Sequence, residues 1–157
     1  FYIARWINKI ATLDERTKVV AKHAVKLQES GRKVMVLSHR LKHVDAIIKE
    51  IKKLGILAGK CTGGMNAQKV FDTFDEYDVV VGTYQFISEA VDIPALNGLV
   101  LATPKSDIQQ AIGRLTRTNV EKKSPIVVEI VDVWSNRSKG YAKRHESAYT
   151  KFGFRIK

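Results

Sequence analysis

The chain has 157 residues, enough for one domain with a real core and too few for two comfortable ones. Apolar content of 45% beside 27% charged residues excludes a disordered chain, and no apolar run approaches the roughly 20 residues that span a bilayer. The 27 Lys and Arg against 16 Asp and Glu leave +11, which favours polyanionic partners, nucleic acid above all, while a single cysteine, Cys61, excludes an internal disulfide framework and points to a reducing, intracellular setting.

In chain order, Asp14 to Ser30 reads as a helix with Val19, Val20, His23, Ala24 and Leu27 as its apolar stripe, ended by Gly31. Lys33 to Ser38 reads as a buried strand. Leu41 to Leu54 is a second helix with Leu41, Val44, Ile48, Ile51 and Leu54 on one side and lysines on the other. A short strand near Leu57 to Cys61 leads into the loop Thr62-Gly63-Gly64-Met65. Gln68 to Phe74 is a short helix, and Val79 to Val81 a strand ending at Gly82-Thr83. Leu99 to Ala102 is another strand, closed by Pro104. Ser106 is expected to N-cap the next helix, with Gln109 three residues on as in a capping box. Ile126 to Val133 is the last long strand, and Ser138 to Phe152 a final helix rich in Lys, Arg and Tyr.

Strands alternate with helices, and the strands are short continuous apolar runs. That pattern predicts an α/β domain with a mainly parallel sheet covered on both faces. Ligands of such sheets bind beyond the carboxyl ends of the strands. The chain opens on Phe1 rather than Met and is expected to be one domain, 1–157, cut from a longer protein.

Two stretches imitate nucleotide-binding motifs. Gly55-Ile56-Leu57-Ala58-Gly59-Lys60-Cys61 has three residues between its glycines where a phosphate loop needs four, and Cys61 stands where Ser or Thr would hold Mg²⁺. Asp75-Glu76-Tyr77-Asp78 precedes its apolar strand instead of ending one. Both read as loops. His39 and His43 have metal-compatible spacing but no third ligand, so they read as structural. His23 reads as a packing histidine and His145 as exposed, and no zinc-binding or other metal set is expected.

The stretch Gln110 to Arg117 is the most specific. At about 100° per residue, Arg114 and Arg117 fall roughly +40° and −20° from Gln110, while Ile108, Ile112 and Leu115 fall roughly 140–200° away. One face can pack on a core while the other presents guanidinium forks suited to phosphate oxygens.

The series Val34-Met35-Val36-Leu37-Ser38-His39-Arg40, Thr62-Gly63-Gly64-Met65, Val79-Val80-Val81-Gly82-Thr83, Glu89-Ala90-Val91-Asp92-Ile93-Pro94 and Gln110-x-x-Gly113-Arg114-x-x-Arg117 resembles the second RecA-like domain of superfamily 2 helicases. The resemblance runs from about residue 14 to the end. The last helix, with Arg144, Tyr149 and Gly153-Phe154, resembles that of the phage and large-DNA-virus, UvsW-like branch, related to the DEAD/DEAH enzymes.

The resemblance implies a RecA-like three-layer domain and a role as part of an ATP-dependent NTP hydrolase. ATP and Mg²⁺ would be bound mainly by the first RecA-like domain of the same polypeptide, absent from this chain. Gln110 would face that nucleotide, and Arg114 and Arg117 would act as arginine fingers. Glu89, Asp92 and Gly113 would lie at the nucleotide. Ser38, Arg40, Gly63, Gly64, Gly82 and Thr83 would line a nucleic-acid track, with DNA favoured over RNA. One departure is Ala90, where the family usually has Gly. The resemblance implies that the fragment alone is inactive, and that the protein is intracellular, with no membrane partner and a virus-encoded origin open. The alternative is a non-catalytic nucleic-acid-binding module built on a degenerate helicase lobe, supported by the charge and the basic, aromatic stretch Tyr141 to Lys157.

Overall fold

Five short strands, four of them mainly apolar, line up as one sheet in the computed structural model, which describes residues 2–89, 96–115 and 123–157. The strands are β1 (Val34–Ser38), β2 (Gly59–Cys61), β3 (Val79–Thr83), β4 (Gly98–Leu101) and β5 (Ile126–Glu129), in the order β2-β3-β1-β4-β5. Every pairing is parallel, with Val34 opposite both Val79 and Gly98. The described helices are α1 (Tyr2–Ala11), α2 (Asp14–Glu29), α3 (Leu41–Lys53), α4 (Ala67–Glu76), α5 (Tyr84–Glu89), α6 (Gln109–Leu115) and α7 (Asn136–Lys151). None of them is long and apolar enough to cross a membrane.

Alternation along each strand builds two cores. Val34, Val36, Val79, Val81 and Val100 face α2 and α3, joining Val20, Ala24, Val44, Ile47 and Ile51. Met35, Leu37, Val80, Leu99 and Leu101 face the other way, joining Phe74 of α4, Ile87 of α5, Ile112 of α6 and Tyr149 of α7. Successive residues of a strand point to opposite faces, so an unbroken apolar run fills both layers. This is the α/β three-layer architecture, parallel throughout the described sheet.

Several boundaries differ from the sequence reading for identifiable reasons. β5 stops at Glu129 rather than Val133. Arg16, from α2, donates to the carbonyls of Ala102 and Ile130, and the second of these is the acceptor that would have extended the β4–β5 ladder. The same guanidinium holds Asp132 through Nε to Oδ1 at 2.8 Å and Nη2 to Oδ2 at 3.1 Å. Both side chains are 6% exposed.

Ser106 does not cap α6. The Gln109 amide donates to Asp107 Oδ1 at 3.0 Å, and the Ser106 carbonyl faces His145. The final helix starts earlier than expected because Ser135 caps it, accepting from the Ser138 amide. Val19, Leu41 and Leu54, expected on apolar stripes, are exposed, and His23 is half-buried.

Two helices went unread. α1 places Ile7 and Ile10 in the core, three apart on one face. α5 begins where Thr83 Oγ1 accepts from the Phe86 amide, an N-cap that the strand-end reading of Gly82-Thr83 passed over.

Candidate functional site

Parallel pairing brings the carboxyl ends of the strands to one edge, and most of the sequence-predicted site residues gather there. A cavity of about 890 Å³ opens at this edge, lined by Asn8, Arg40, Lys42, Gly63, Thr83 and Gln85 among others. Three predicted nucleic-acid-track residues, Arg40, Gly63 and Thr83, therefore share one concavity.

Arg40 is half-buried and held in place. Its Nε donates to Asn8 Oδ1 of α1 at 2.5 Å and its Nη1 to the His39 carbonyl at 3.2 Å. Ser38 is fully buried and serves the chain itself. Its hydroxyl accepts from the Arg40 amide at 3.3 Å and lies 2.8 Å from His43 Nδ1. His43 Nε2, on the far side of the ring, is buried with no hydrogen-bond partner among the described residues. His39 meets Thr103 Oγ1 through both its amide and Nδ1. Burial, then Lys105 and Arg40, push the His39 pKa down to about 4, and burial with Arg16 does the same to His43. Both rings are neutral at pH 7, as structural histidines.

Gly82 meets a tight fit inside the sheet. A Cβ there would stand 2.6 Å from the Cys61 carbonyl oxygen of β2, so its lack of a side chain serves strand approach. Burial at this junction also pushes the Cys61 thiol up to about 11.

Glu89, predicted at the nucleotide, and Gly63-Gly64, predicted at the track, are in contact. Glu89 Oε2 accepts from the Gly64 amide at 3.2 Å, and Oε1 from Gln85 Nε2 at 3.1 Å. A Cβ on Gly63 would lie 3.0 Å from Glu89 Oε2, and Gly64 has φ +82°. The short helix α5 therefore carries at its end a carboxylate that fastens the glycine loop.

The helical wheel of α6 comes out as drawn over the described residues. Ile108, Ile112 and Leu115 are buried, Gln110 is exposed, and Gly113 and Arg114 are half-buried. Arg114 Nη2 reaches toward the Ile87 carbonyl of α5 at 3.5 Å, the long limit of a hydrogen bond. A Cβ on Gly113 would meet nothing within 4 Å, so packing inside the described chain does not demand glycine there. Asp92, Arg117 and Ala90 lie outside the described residues.

Three features escaped sequence reading. Asn8 braces Arg40, and nothing in its neighbourhood announces that. Lys105 Nζ lies over the Tyr84 ring at 5.2 Å, whose hydroxyl donates to the Thr103 carbonyl at 2.6 Å. His145, expected to be exposed, is 3% exposed and bound to Glu129. Its place was readable: on the α7 wheel it falls with Tyr141, Ala148 and Tyr149, all buried.

Residues 12–119 match the profile of the helicase conserved C-terminal domain. An Acanthamoeba polyphaga mimivirus protein named as an ATP-dependent RNA helicase is 28% identical over 156 residues, 98% of this chain and 30% of the relative. The ATP-dependent DNA helicase UvsW of Enterobacteria phage T4 is 28% identical over 134 residues, 80% of this chain and 27% of that protein. The crystal structure of T4 UvsW superposes with TM-score 0.76 and 23% identity, over 96% of this chain and 35% of that one. The chain thus spans under a third of the length of these two curated relatives.

Proposed function

The chain belongs to the family of helicase conserved C-terminal domains, and we propose that it is the second motor lobe of an ATP-dependent superfamily 2 helicase or translocase with DNA as its track. The observation that carries this reading is α6. Its apolar residues are locked in the core, while Gln110 and Arg114 are left on the opposite side, beside the end of α5. Nucleotide would be bound by a first RecA-like lobe carrying the phosphate loop, and Arg114, with Arg117, would meet it as the lobes close.

Guanidinium groups fit an oxyanion whose charge grows in the transition state, and their fixed positive charge needs no reorganisation at that moment. Mg²⁺ would be held with the nucleotide. Among the described residues of this chain no three His, Cys, Asp or Glu side chains cluster as a metal site. Gln110 would orient the phosphate end. Glu89 would act on the nucleotide side through the Gly63-Gly64 loop, whose amide it holds. Arg40, Gly63 and Thr83 would receive the strand backbone in the cavity they share. Ser38 would contribute by holding the Arg40 amide.

The test uses the full-length protein. Arg114→Ala is expected to cut nucleic-acid-stimulated ATP hydrolysis by about 10³–10⁵, the range for arginine fingers, with strand binding changed only a few-fold. A loss confined to strand binding contradicts the assignment. This chain alone is expected to show negligible Mg²⁺-dependent turnover. Names of relatives point both ways on the track, RNA in the mimivirus protein and DNA in the phage one. Competition between single-stranded, duplex and branched DNA and RNA at matched salt decides it.

A further inference from the structure

The turn that leads into α6 is held from α7 by one histidine. His145 Nδ1 lies 2.7 Å from Glu129 Oε1 at the end of β5. Its Nε2 lies 2.7 Å from the Lys105 carbonyl and 3.3 Å from that of Ser106. Carbonyl oxygens carry no proton, so Nε2 must supply one. A neutral imidazole has a single N–H, and would leave Nδ1 bare against a carboxylate. Tyr149 donates its hydroxyl to the other oxygen, Glu129 Oε2, at 2.7 Å, so that oxygen serves as an acceptor. Only a ring with both nitrogens protonated satisfies every partner.

We propose that His145 is a positioning residue for the arginine-bearing helix: its imidazolium ties β5 and α7 to the Lys105–Ser106 turn and so sets where α6 presents Gln110 and Arg114. The role in turnover rests on the motor-lobe reading above; the tie itself does not.

The groups around the ring support the charge. From β5 comes Glu129. From α7 come Tyr141 and Tyr149, each with its ring centre 6.4 Å away, and Arg144, which lies over the Tyr141 ring at 4.6 Å. From the turn comes Lys105, its ammonium over Tyr84. Burial opposes the imidazolium, but the Glu129 hydrogen bond and charge, with the two carbonyls, outweigh it and raise the pKa above 6.5. As pH rises through that raised value, Nδ1 loses its proton and two acceptors are left face to face, so the turn stays bonded to Nε2 but the ring is no longer tied to β5.

Two substitutions separate positioning from simple damage, because they move the ring in opposite directions. Glu129→Gln removes the counter-charge and is expected to lower the His145 pKa. Tyr149→Phe removes a competing donor from Glu129, leaves the ring as the carboxylate's remaining partner, and is expected to raise it. Histidine ring signals of this chain, followed by NMR across pH 5 to 9, read the tie without any turnover. In the full-length protein, kcat for nucleic-acid-stimulated ATP hydrolysis is expected to fall on an alkaline limb above pH 6.5. That limb should shift down in Glu129→Gln and up in Tyr149→Phe. In His145→Gln it should vanish, with kcat at least about 10-fold lower and strand binding within about 3-fold.

A His145 signal that titrates at or below 6.5, or that ignores Glu129→Gln, overturns the tie. A normal His145 titration with a limb that neither variant moves overturns the positioning role. A normal titration with no stimulated hydrolysis in the wild type overturns the motor reading, and the role with it, while leaving the tie standing.

Discussion

Arg16 and Asp132 form a deeply buried ion pair. Arg16→Met keeps the bulk of the side chain and removes the guanidinium. It leaves the Asp132 carboxylate buried without its two charged donors, and the carbonyls of Ala102 and Ile130 without theirs. Breaking one side of such a pair costs about 3–5 kcal/mol, because the remaining charge stays out of water. Asp132→Leu strands the buried cation and should cost a similar amount.

The double variant removes both charges and leaves only the two carbonyls short of a donor, at about 1–3 kcal/mol each. The two losses should therefore fall short of adding, with a coupling of about 2 kcal/mol or more, well outside the roughly 0.5 kcal/mol scatter of independent sites. Urea unfolding of the four proteins measures this, read as the midpoint at unchanged slope. In thermal melts each kcal/mol should appear as roughly 2–4 °C. Single losses below about 1 kcal/mol, or simple additivity, would refute the claim that this pair is a closed, mutually dependent unit.

Gly82→Ala places a Cβ 2.6 Å from the Cys61 carbonyl and 3.0 Å from Met35 Cε, so β2 must shift. A loss of about 1–3 kcal/mol is expected by urea unfolding, and a neutral result would show that β2 yields freely. His39 and His43 have folded pKa values near 4, lowered from 6.5, so the unfolded chain binds protons first as pH falls. Their contribution is intact above 6.5 and is lost between about 6.5 and 4. His43→Gln should flatten that acid limb of the stability profile, and an unchanged limb would contradict the assignment. Cys61, with its thiol pushed up to about 11 and fully buried, should resist iodoacetamide in the native chain and react in urea. Rapid native labelling would mean that β2 opens locally.

Apolar periodicity carried most of the fold. The runs around Val34–Ser38, Val79–Thr83 and Leu99–Leu101 are strands because they fill two layers at once. The stripe of Ile108, Ile112 and Leu115 fixed which side of α6 is buried before any contact was known. What escaped were features decided by partners distant in sequence. β5 ends at Glu129 because Arg16, 114 residues from Ile130, takes the next acceptor. The burial of His145 was readable on the α7 wheel, but its partners, Glu129 and the Lys105 carbonyl, lie 16 and 40 residues away and were not. α5 has six residues, too few for a periodic signal, and is announced only by its Thr83 cap. At the site, residue types pointed to phosphate and strand chemistry, but the division of labour was hidden. Ser38 bonds His43 of α3 and the Arg40 amide, Gly82 lets β2 and β3 approach, and Glu89 holds the glycine loop.

The order β2-β3-β1-β4-β5 also governs how the chain comes together in time. The first strand made is the central one, and its earliest neighbour, β3, begins about 45 residues later, from Val34 to Val79. At roughly 5–20 residues per second of synthesis, β1 waits about 2–9 s with both backbone edges open. No described pairing is a hairpin that could close locally. α2 and α3, made on either side of β1, can cover only one of its faces in that interval. The Met35 and Leu37 face stays bare until α4 and the later helices arrive, so the newborn chain passes through a sticky, half-built sheet that a chaperone would have reason to hold.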